Sequence, residues 1–344
     1  MAVAQATTDS QRRAGLGWRV AGAFVRRREA SVFVVAAALV AFFGIRTSAF
    51  VQPDNIRNVT ESMAPLAIVA AGEVMLLICG EIDLAVGRVY ALAPGIVWAI
   101  SAPDQHHLPI WLGVILALFV SGLVGLSNGV ITTFLRVPSF ITTLAMLFLL
   151  NGITLHLESG SQQFMPGGNI FRNIFGTNVT YPLFLNAEFF WALGIMLAVQ
   201  FVLSWTRWGL RTVATGGNLL GAAEAGVNVR AIKVGNFVLA NVLAGFAGIL
   251  DSTRITTLQP LQGGPDTMFL AVAGAVIGGT SLFGGVGTVV GAFFGVGVIM
   301  MLKTGFSIIG VSAFTFDLII GVAILLSMVA NVQVARLKNL GRLQ

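Results

Sequence analysis

Charged residues are scarce in this sequence. Only 10% of its 344 residues are charged, whereas soluble domains average about 25%. Hydrophobic residues make up 56% of the chain, and the mean hydropathy is +0.88. A chain with so little polar surface cannot cover a soluble core, so the composition excludes an ordinary soluble domain. It predicts an all-α polytopic membrane protein.

The residues that usually carry chemistry are equally few. The single cysteine, Cys79, excludes an internal disulfide, and the three histidines show no metal-ligand spacing. No Gly-x4-Gly-Lys-Ser/Thr sequence occurs, so the chain lacks the usual phosphate-binding loop. No catalytic Ser/His/Asp set and no basic run with interleaved aromatics is present. We therefore expect no enzyme activity, no metal or cofactor bound by this chain, and no nucleic-acid partner.

Long apolar runs are what the sequence does contain. A membrane-spanning helix needs roughly 17–25 mostly apolar residues. The ten predicted spans are residues 30–45, 62–79, 84–101, 109–134, 138–157, 189–205, 234–251, 268–282, 286–302 and 307–331. The third, eighth and ninth are short or interrupted by glycine, so nine or eleven spans remain open. Three Gly-x3-Gly patterns, at 125/129, 274/278 and 291/295, predict closely packed helices.

Basic residues are distributed unevenly between the two sides of these spans. With ten spans, 14 lysines and arginines fall on one side and 5 on the other. Because basic residues collect on the cytoplasmic side, residues 1–29, 205–233 and 332–344 are predicted to be cytoplasmic. Residues 30–331 form the membrane domain. The loop 158–188 is then external, either as a connector or as a docking surface with a short helix.

The polar stretch 205–233 contains a compact local signal. Asn218 is a good helix N-cap, because its side chain can accept a hydrogen bond from a free backbone N–H. Residues 219–225 then form a short helix, and Gly226 is a natural stop. A rigid capped helix facing water suits a soluble partner that must push on the membrane domain. An ordinary basic loop without a partner fits the composition equally well.

The segment GEIDLAVG, residues 80–87, places Glu81 and Asp83 close to Arg88 and between two spans. Burying such charge in a membrane costs about 2.5–3.5 kcal/mol per residue on insertion scales. The segment is therefore a tight turn at the cytoplasmic edge, or a broken helix beside a water-filled path. In the first case Asp83 caps the third span and pairs with Arg88. In the second case it contacts substrate.

Four residues are candidates for a substrate path. Glu81 and Asp83 can accept hydrogen bonds from hydroxyl groups, Phe140 can stack on a sugar ring, and Asn151 is an intramembrane amide. Glu73 also lies inside a span and needs a partner or water, which favours packing inside the bundle.

Four separated motifs together resemble the ribose-type permease subunits of bacterial ABC sugar importers. They are GEIDLAVG (80–87), SFITTLAMLFLLNG (139–152), TGGNLLGAAEAGVNV (215–229) and IGGTSLFGGVGTVVG (277–291). The resemblance covers residues 50–330. It implies a type II ABC importer-like permease of about ten spans that forms a homodimer in the lipid of the bacterial cytoplasmic (inner) membrane.

The resemblance also implies partners and a coupling site. An external (periplasmic) sugar-binding protein would deliver the substrate, and an ABC ATPase subunit, with tandem domains, would use ATP on the inside. The family's coupling element falls on residues 218–228. The implied ATPase-coupling residues are Gly217, Asn218, Leu219, Leu220, Ala222, Ala223, Glu224, Ala225, Gly226 and Asn228.

The chain also departs from the family pattern, and these departures leave the substrate open. Glu81 and Ala85 replace a small residue and a serine, and Arg88 replaces a small residue. A pentose, a hexose or a polyol therefore fits equally. An ABC permease for nucleosides or branched-chain amino acids would share the architecture. An ion-coupled secondary transporter would instead use the intramembrane carboxylates and need no ATPase.

Overall fold

The computed structural model describes residues 29–176, 185–312 and eleven residues of a last helical segment between 315 and 329. The predicted C-terminal tail, 332–344, and residues 1–28 of the N-terminal tail lie outside the described residues. The described residues form a bundle of helices, and the loops that connect the helices are at its two ends.

The described residues up to 312 form twelve α-helices and a two-stranded ribbon. The helices are α1 (Glu29–Arg46), α2 (Pro53–Ile78), α3 (Val86–Ser101), α4 (Ile110–Phe134), α5 (Ser139–Leu157), α6 (Asn169–Phe175), α7 (Ala187–Trp205), α8 (Arg207–Gly217), α9 (Leu219–Glu224), α10 (Val229–Ile255), α11 (Gly264–Ile277) and α12 (Val289–Ile308). A short 3-10 helix, Ser48–Val51, joins α1 to α2. Strand β1 (Gln163–Phe164) pairs antiparallel with β2 (Thr257–Leu258).

All ten predicted spans fall on helices. Six helices in the described part of the chain, α2, α4, α5, α7, α10 and α12, are long and apolar enough to cross a membrane. Helices α1, α3 and α11 are shorter and apolar, and the described residues between 315 and 329 are helical. The all-α class is confirmed, while the exact number of crossings stays a prediction.

Several boundaries of the predicted spans are wrong by five residues or more. Helix α2 begins at Pro53, nine residues before the predicted start, and α11 ends at Ile277, five residues before the predicted end. Helix α12 continues to Ile308, six residues beyond the predicted end at Leu302.

Helix α10 lies at the centre of the bundle, against α2, α3 and α4. Glycines permit this approach. A Cβ on Gly125 of α4 would lie 2.4 Å from the Phe237 carbonyl oxygen, and one on Gly129 would lie 2.8 Å from the Cα of Val234. Gly278 of α11 meets Gly291 of α12 at a similar distance. The close packing that the Gly-x3-Gly patterns predict is therefore confirmed at both contacts.

The surface of the bundle is apolar. Helix α2 is buried over most of its length, whereas α4, α5 and α7 expose large apolar side chains. Examples are Ile115, Phe119, Phe148, Leu197 and Phe201. Such surfaces suit lipid, since the hydrocarbon region has no water to solvate polar groups. We call the face of the bundle that carries α8 and α9 the inner end, and the opposite face, with α6 and the ribbon, the outer end.

Candidate functional site

The capped helix at the inner end is α9. Its N-cap, Asn218, accepts a hydrogen bond from the Gly221 N–H through Oδ1 at 2.9 Å. At its C-terminus Gly226 has φ of +82°, and the Val227 N–H donates to the Ala222 carbonyl at 3.0 Å. This is a Schellman motif, which satisfies carbonyls that the helix end leaves free. The predicted cap and stop are confirmed, although the helix ends at Glu224 and Ala225 is its C-cap.

Only one residue of helix α9 is buried against the bundle, and most of its other residues are exposed to solvent. Ala222 is buried, whereas Leu219 is 47% and Leu220 75% exposed. Other predicted coupling residues are exposed as well: Gly217, Asn218, Ala223, Glu224, Ala225, Gly226 and Asn228. Two leucines exposed on a rigidly capped helix form a small apolar surface at the inner end.

Helix α8 connects this surface to the membrane helices through close packing and hydrogen bonds. A Cβ on Gly216 would lie 1.7 Å from the Ile78 carbonyl oxygen, so α8 ends directly against the end of α2. The same carbonyl accepts a hydrogen bond from the Gly285 N–H at 2.7 Å. Helix α8 also contacts α10, because the Trp208 Nε1–H donates to Asn236 Oδ1 at 2.8 Å.

Asn236 in turn joins α10 to α2. Its Nδ2 group donates to the Met75 carbonyl and to the Thr212 hydroxyl, both at 3.2 Å. The amide therefore contacts α2, α8 and α10 at once, and it is completely buried. These contacts hold the inner ends of the three helices as one unit.

The segment GEIDLAVG is a break between α2 and α3. Gly80 has φ of +80°, and the Glu81 N–H donates to the Leu76 carbonyl at 3.0 Å, which closes a second Schellman motif. The Glu81 carboxylate forms an ion pair with Lys233 in the second turn of α10. The chain then runs past Asp83 and enters α3 at Val86.

Asp83 lies deep in the bundle. Its carboxylate accepts hydrogen bonds from the Ala85 N–H at 2.8 Å, from Asn241 Nδ2 at 2.7 Å and from Asn128 Nδ2 at 3.1 Å. Asn241 is 12 residues from the start of α10 and 14 from its end. At 1.5 Å per residue it lies about 18 Å from the inner end of that helix. The segment therefore runs from Glu81, near the inner end, to Asp83, in the interior of the bundle, and which of the two alternatives holds stays a prediction.

The predicted pairing of Asp83 with Arg88 is wrong. The Arg88 side chain donates from Nη1 to the Pro260 carbonyl at 3.5 Å, and the guanidinium lies against Gly264. The two carboxylate oxygens of Glu73 are buried without a hydrogen-bond partner among the described residues. Glu73 is thus packed inside the bundle, as expected.

Neither Phe140 nor Asn151 forms a hydrogen bond with Asp83. Both are on α5, eleven residues apart and hence on the same face of the helix. Phe140 is 55% exposed, whereas Asp83 takes its side-chain partners from α4 and α10. Asn128 and Asn241, which bind Asp83, and Lys233, which pairs with Glu81, are not among the predicted path residues. Their spacing in the sequence gives no signal of these contacts.

The sequence matches a known family of membrane proteins. Residues 55–328 match the family model described as branched-chain amino acid transport system / permease component. The chain belongs to this family of transport permeases.

Several curated relatives are import permeases. The chain is 38% identical to the xylose/arabinose import permease protein XylH of Sulfolobus acidocaldarius, over 89% of this chain and 85% of that protein. It is 32% identical to the ribose import permease protein RbsC of Escherichia coli K12, over 85% and 90% of the two chains. Identity to the autoinducer 2 import system permease protein LsrC of Photorhabdus luminescens is 30%, over 84% and 86%. These names confirm the resemblance that the four motifs carry. No solved structure matches the chain significantly.

The permease carries a second polar cluster at its outer end, centred on Arg254. The guanidinium lies 2.6 Å from the Asp251 carboxylate, 3.4 Å from that of Glu188 and 3.8 Å from that of Glu61. Arg57 adds an ion pair to Glu61 at 2.8 Å. The Tyr90 hydroxyl and the Gln262 amide donate to Asp251 at 2.6 and 2.8 Å. Three carboxylates of the outer end thus converge on one arginine, beside an open cleft of about 420 Å³.

One further carboxyl group of the permease is buried at the outer end. Glu158 is the C-cap of α5, and neither of its carboxylate oxygens has a hydrogen-bond partner among the described residues. A Cβ on Gly95 of α3 would lie 2.7 Å from Glu158 Oε1, so the glycine makes room for this side chain. Burial raises the pKa of Glu158 to about 8, because the charged form loses its hydration.

Proposed function

We propose that this permease is the membrane-spanning subunit of an ATP-driven ABC importer that translocates a sugar. An external binding protein delivers the pentose, hexose or polyol, and a separate ATPase subunit hydrolyses ATP at the inner end. The relatives named for xylose/arabinose, ribose and autoinducer 2 import support this assignment over 84–89% of the chain. The permease would act as a homodimer in a bacterial cytoplasmic membrane, with both termini on the ATPase side.

The observation that carries the coupling assignment is helix α9. A solvated connector gains nothing from capping at both ends, or from two leucines that point into solvent. A partner surface needs both, because a fixed backbone holds the contact and apolar side chains supply the binding energy. Residues 218–228 are therefore the proposed ATPase contact, with Leu219 and Leu220 at its centre.

Movement of α9 would reach the sugar path through α10. Closure of the ATPases would displace α9, and the first turn of α10 begins only five residues after α9 ends. Helix α10 is bonded to the break between α2 and α3, so the break moves with it. ATP and the delivered sugar can shift this equilibrium only if they bind the two states with different affinity.

The Asp83 group is the proposed polar lining of the path. The Oδ1 atoms of Asn128 and Asn241 have no hydrogen-bond partner among the described residues, although both side chains are completely buried. Leaving such acceptors unpaired is costly. When the break opens, sugar hydroxyls can donate to these two oxygens and to the free lone pairs of Asp83. Glu81 is held by Lys233 and is less suited to this role.

A second candidate substrate comes from the family description, which names branched-chain amino acids. The test is uptake by vesicles that contain the permease, its ATPase and its binding protein. We expect ATP-dependent accumulation of labelled D-xylose, L-arabinose or D-ribose, and no accumulation of labelled leucine. Accumulation of leucine alone would favour the amino-acid alternative. Accumulation of any solute by the permease alone, without ATP, would contradict the ABC assignment.

A further inference from the structure

Three polar contacts join α10 to the chain around the break. They are the pairs Lys233–Glu81, Asn236–Met75 and Asn241–Asp83. They follow one another along α10 from its second turn to its middle, over a length of about 12 Å. We call this row of contacts the polar seam. Its three members differ in how easily they can rearrange.

Two contacts of the seam are fixed by burial. Asn236, Asn241 and Asp83 are completely buried, and each side chain holds more than one hydrogen bond. Breaking one of these contacts would leave a buried polar group without a partner, which is strongly unfavourable. The ion pair is different. The side chains of Lys233 and Glu81 remain 16% and 11% exposed, so water can solvate both charges when the pair opens.

Lys233 also lies close to the proposed ATPase contact. Only Ala225, Gly226, Val227 and Asn228 separate α9 from α10. These residues are held by the Schellman motif and by Asn228 Oδ1, which accepts a hydrogen bond from the Ala231 N–H at 3.1 Å. Because the connection is short and bonded at both ends, a displacement of α9 is passed directly to Lys233.

Glu81 occupies an unusual place for a charge. In a Schellman motif, the residue two positions after the C-cap commonly packs an apolar side chain against the helix. Val227 fills that position after α9, but Glu81 fills it after α2. Just before Glu81, Gly80 provides a backbone conformation that other residues rarely adopt, and a Cβ there would meet no atom within 4 Å. The carboxylate is therefore attached to a turn with open space beside it.

We propose that Glu81 and Lys233 are a positioning pair that transmits the displacement of α9 to the break between α2 and α3. The pair holds the break closed in the state seen here and opens when the first turn of α10 moves. The buried contacts at Asn236 and Asn241 act as the fixed end, about which the segment 80–83 turns. Glu81 thus acts through Lys233 rather than by touching the sugar. This inference rests on the proposed function as an ATP-driven importer.

The test measures sugar imported per ATP hydrolysed, in vesicles that contain the complete importer. The sugar is whichever of labelled D-xylose, L-arabinose and D-ribose the wild type accumulates. Glu81→Gln and Lys233→Gln are each expected to lower this ratio about fivefold or more, the lower range of typical coupling factors. The double variant is expected to be no worse than either single one, because both changes break the same contact.

Two charge-preserving variants separate transmission from folding. Lys233→Arg, and the exchanged pair Glu81→Lys with Lys233→Glu, are expected to recover at least half of the wild-type ratio. Lys303→Gln serves as the matched control. Lys303 lies on α12, and its ammonium group lies over the Phe316 ring. Its loss should leave the ratio unchanged. An unchanged ratio in both Gln variants, or additive losses in the double variant, would overturn the inference. A wild-type importer that accumulates none of the three sugars would instead contradict the proposed function.

Discussion

The two ends of this permease are held together by different means. At the outer end, three carboxylates from α2, α7 and α10 converge on Arg254, so charge supplies the contact. At the inner end, α2, α8 and α10 meet through backbone close approach at Gly216 and through amides such as Asn236. Only one ion pair, Glu81–Lys233, joins helices at the inner end in the part of the chain that the structure describes.

This difference indicates which contacts can rearrange with a small cost in free energy. Removing the arginine at the centre of the outer cluster leaves several carboxylates without their cation, so the cluster favours a single arrangement. The inner pair has one cation and one acid, so it can open without disturbing other charges. The outer end therefore acts as a fixed part of the bundle, and the Glu81–Lys233 pair, next to the ATPase contact, as the adjustable part of the inner end.

The largest effect is expected at the outer cluster. Arg254→Gln removes the cation from three carboxylates and should lower the free energy of unfolding by about 3 kcal/mol, because Glu188, which is only 1% exposed, is left without its counter-charge. Arg57→Gln breaks only a partly exposed pair one turn apart on α2, so its expected cost is about 0.5 kcal/mol or less. Chemical unfolding in detergent measures both. Equal losses would show that the charges at this end are not centred on Arg254.

A moderate effect is expected where α8 meets α2. Gly216→Ala places a methyl group 1.7 Å from the Ile78 carbonyl oxygen and should cost about 1–3 kcal/mol through overpacking. The neighbouring Gly217 has its nearest atom at 3.9 Å, so Gly217→Ala should be tolerated. Melting temperatures of the two purified variants decide this. A Gly217 variant as unstable as the Gly216 variant would contradict the close contact that joins the inner ends.

A pH dependence of stability is expected at Glu158. Its pKa is raised to about 8 in the folded protein, so the folded state holds a proton that the unfolded chain, with a pKa near 4.5, has released. Stability should therefore fall as the pH rises from about 5 to about 8. Glu158→Gln should remove this part of the dependence, which melting curves at several pH values would reveal. A variant whose melting temperature varies with pH as steeply as the wild type's would refute the assignment.

Local features of the inner end could be predicted from sequence, because they depend on neighbouring residues. Asn218 as a cap and Gly226 as a stop involve partners within four residues, and short-range backbone chemistry specifies them. The Gly-x3-Gly patterns likewise mark a helix face before its partner is known. The helical class and the family followed from apolar runs and from four motifs in a fixed order.

Long-range contacts could not be predicted in this way. Glu81 and Lys233 are 152 residues apart, and no pattern in the sequence relates them. Pairing Asp83 with Arg88 assumed that charges close in sequence meet, but the break directs Asp83 towards α4 and α10 instead. The convergence of Glu61, Glu188 and Asp251 depends in the same way on how three helices pack, and a single sequence does not specify that packing.

Helix α9 at the inner end is the proposed contact of a soluble ATPase. A photo-reactive amino acid in place of Leu220 tests it directly in the complete importer, with the same substitution at Leu261, an exposed leucine of the loop before α11, as the control. Illumination should link the Leu220 position to the ATPase subunit and leave the Leu261 position unlinked to it. A crosslink to the ATPase from Leu261, with none from Leu220, would contradict the account.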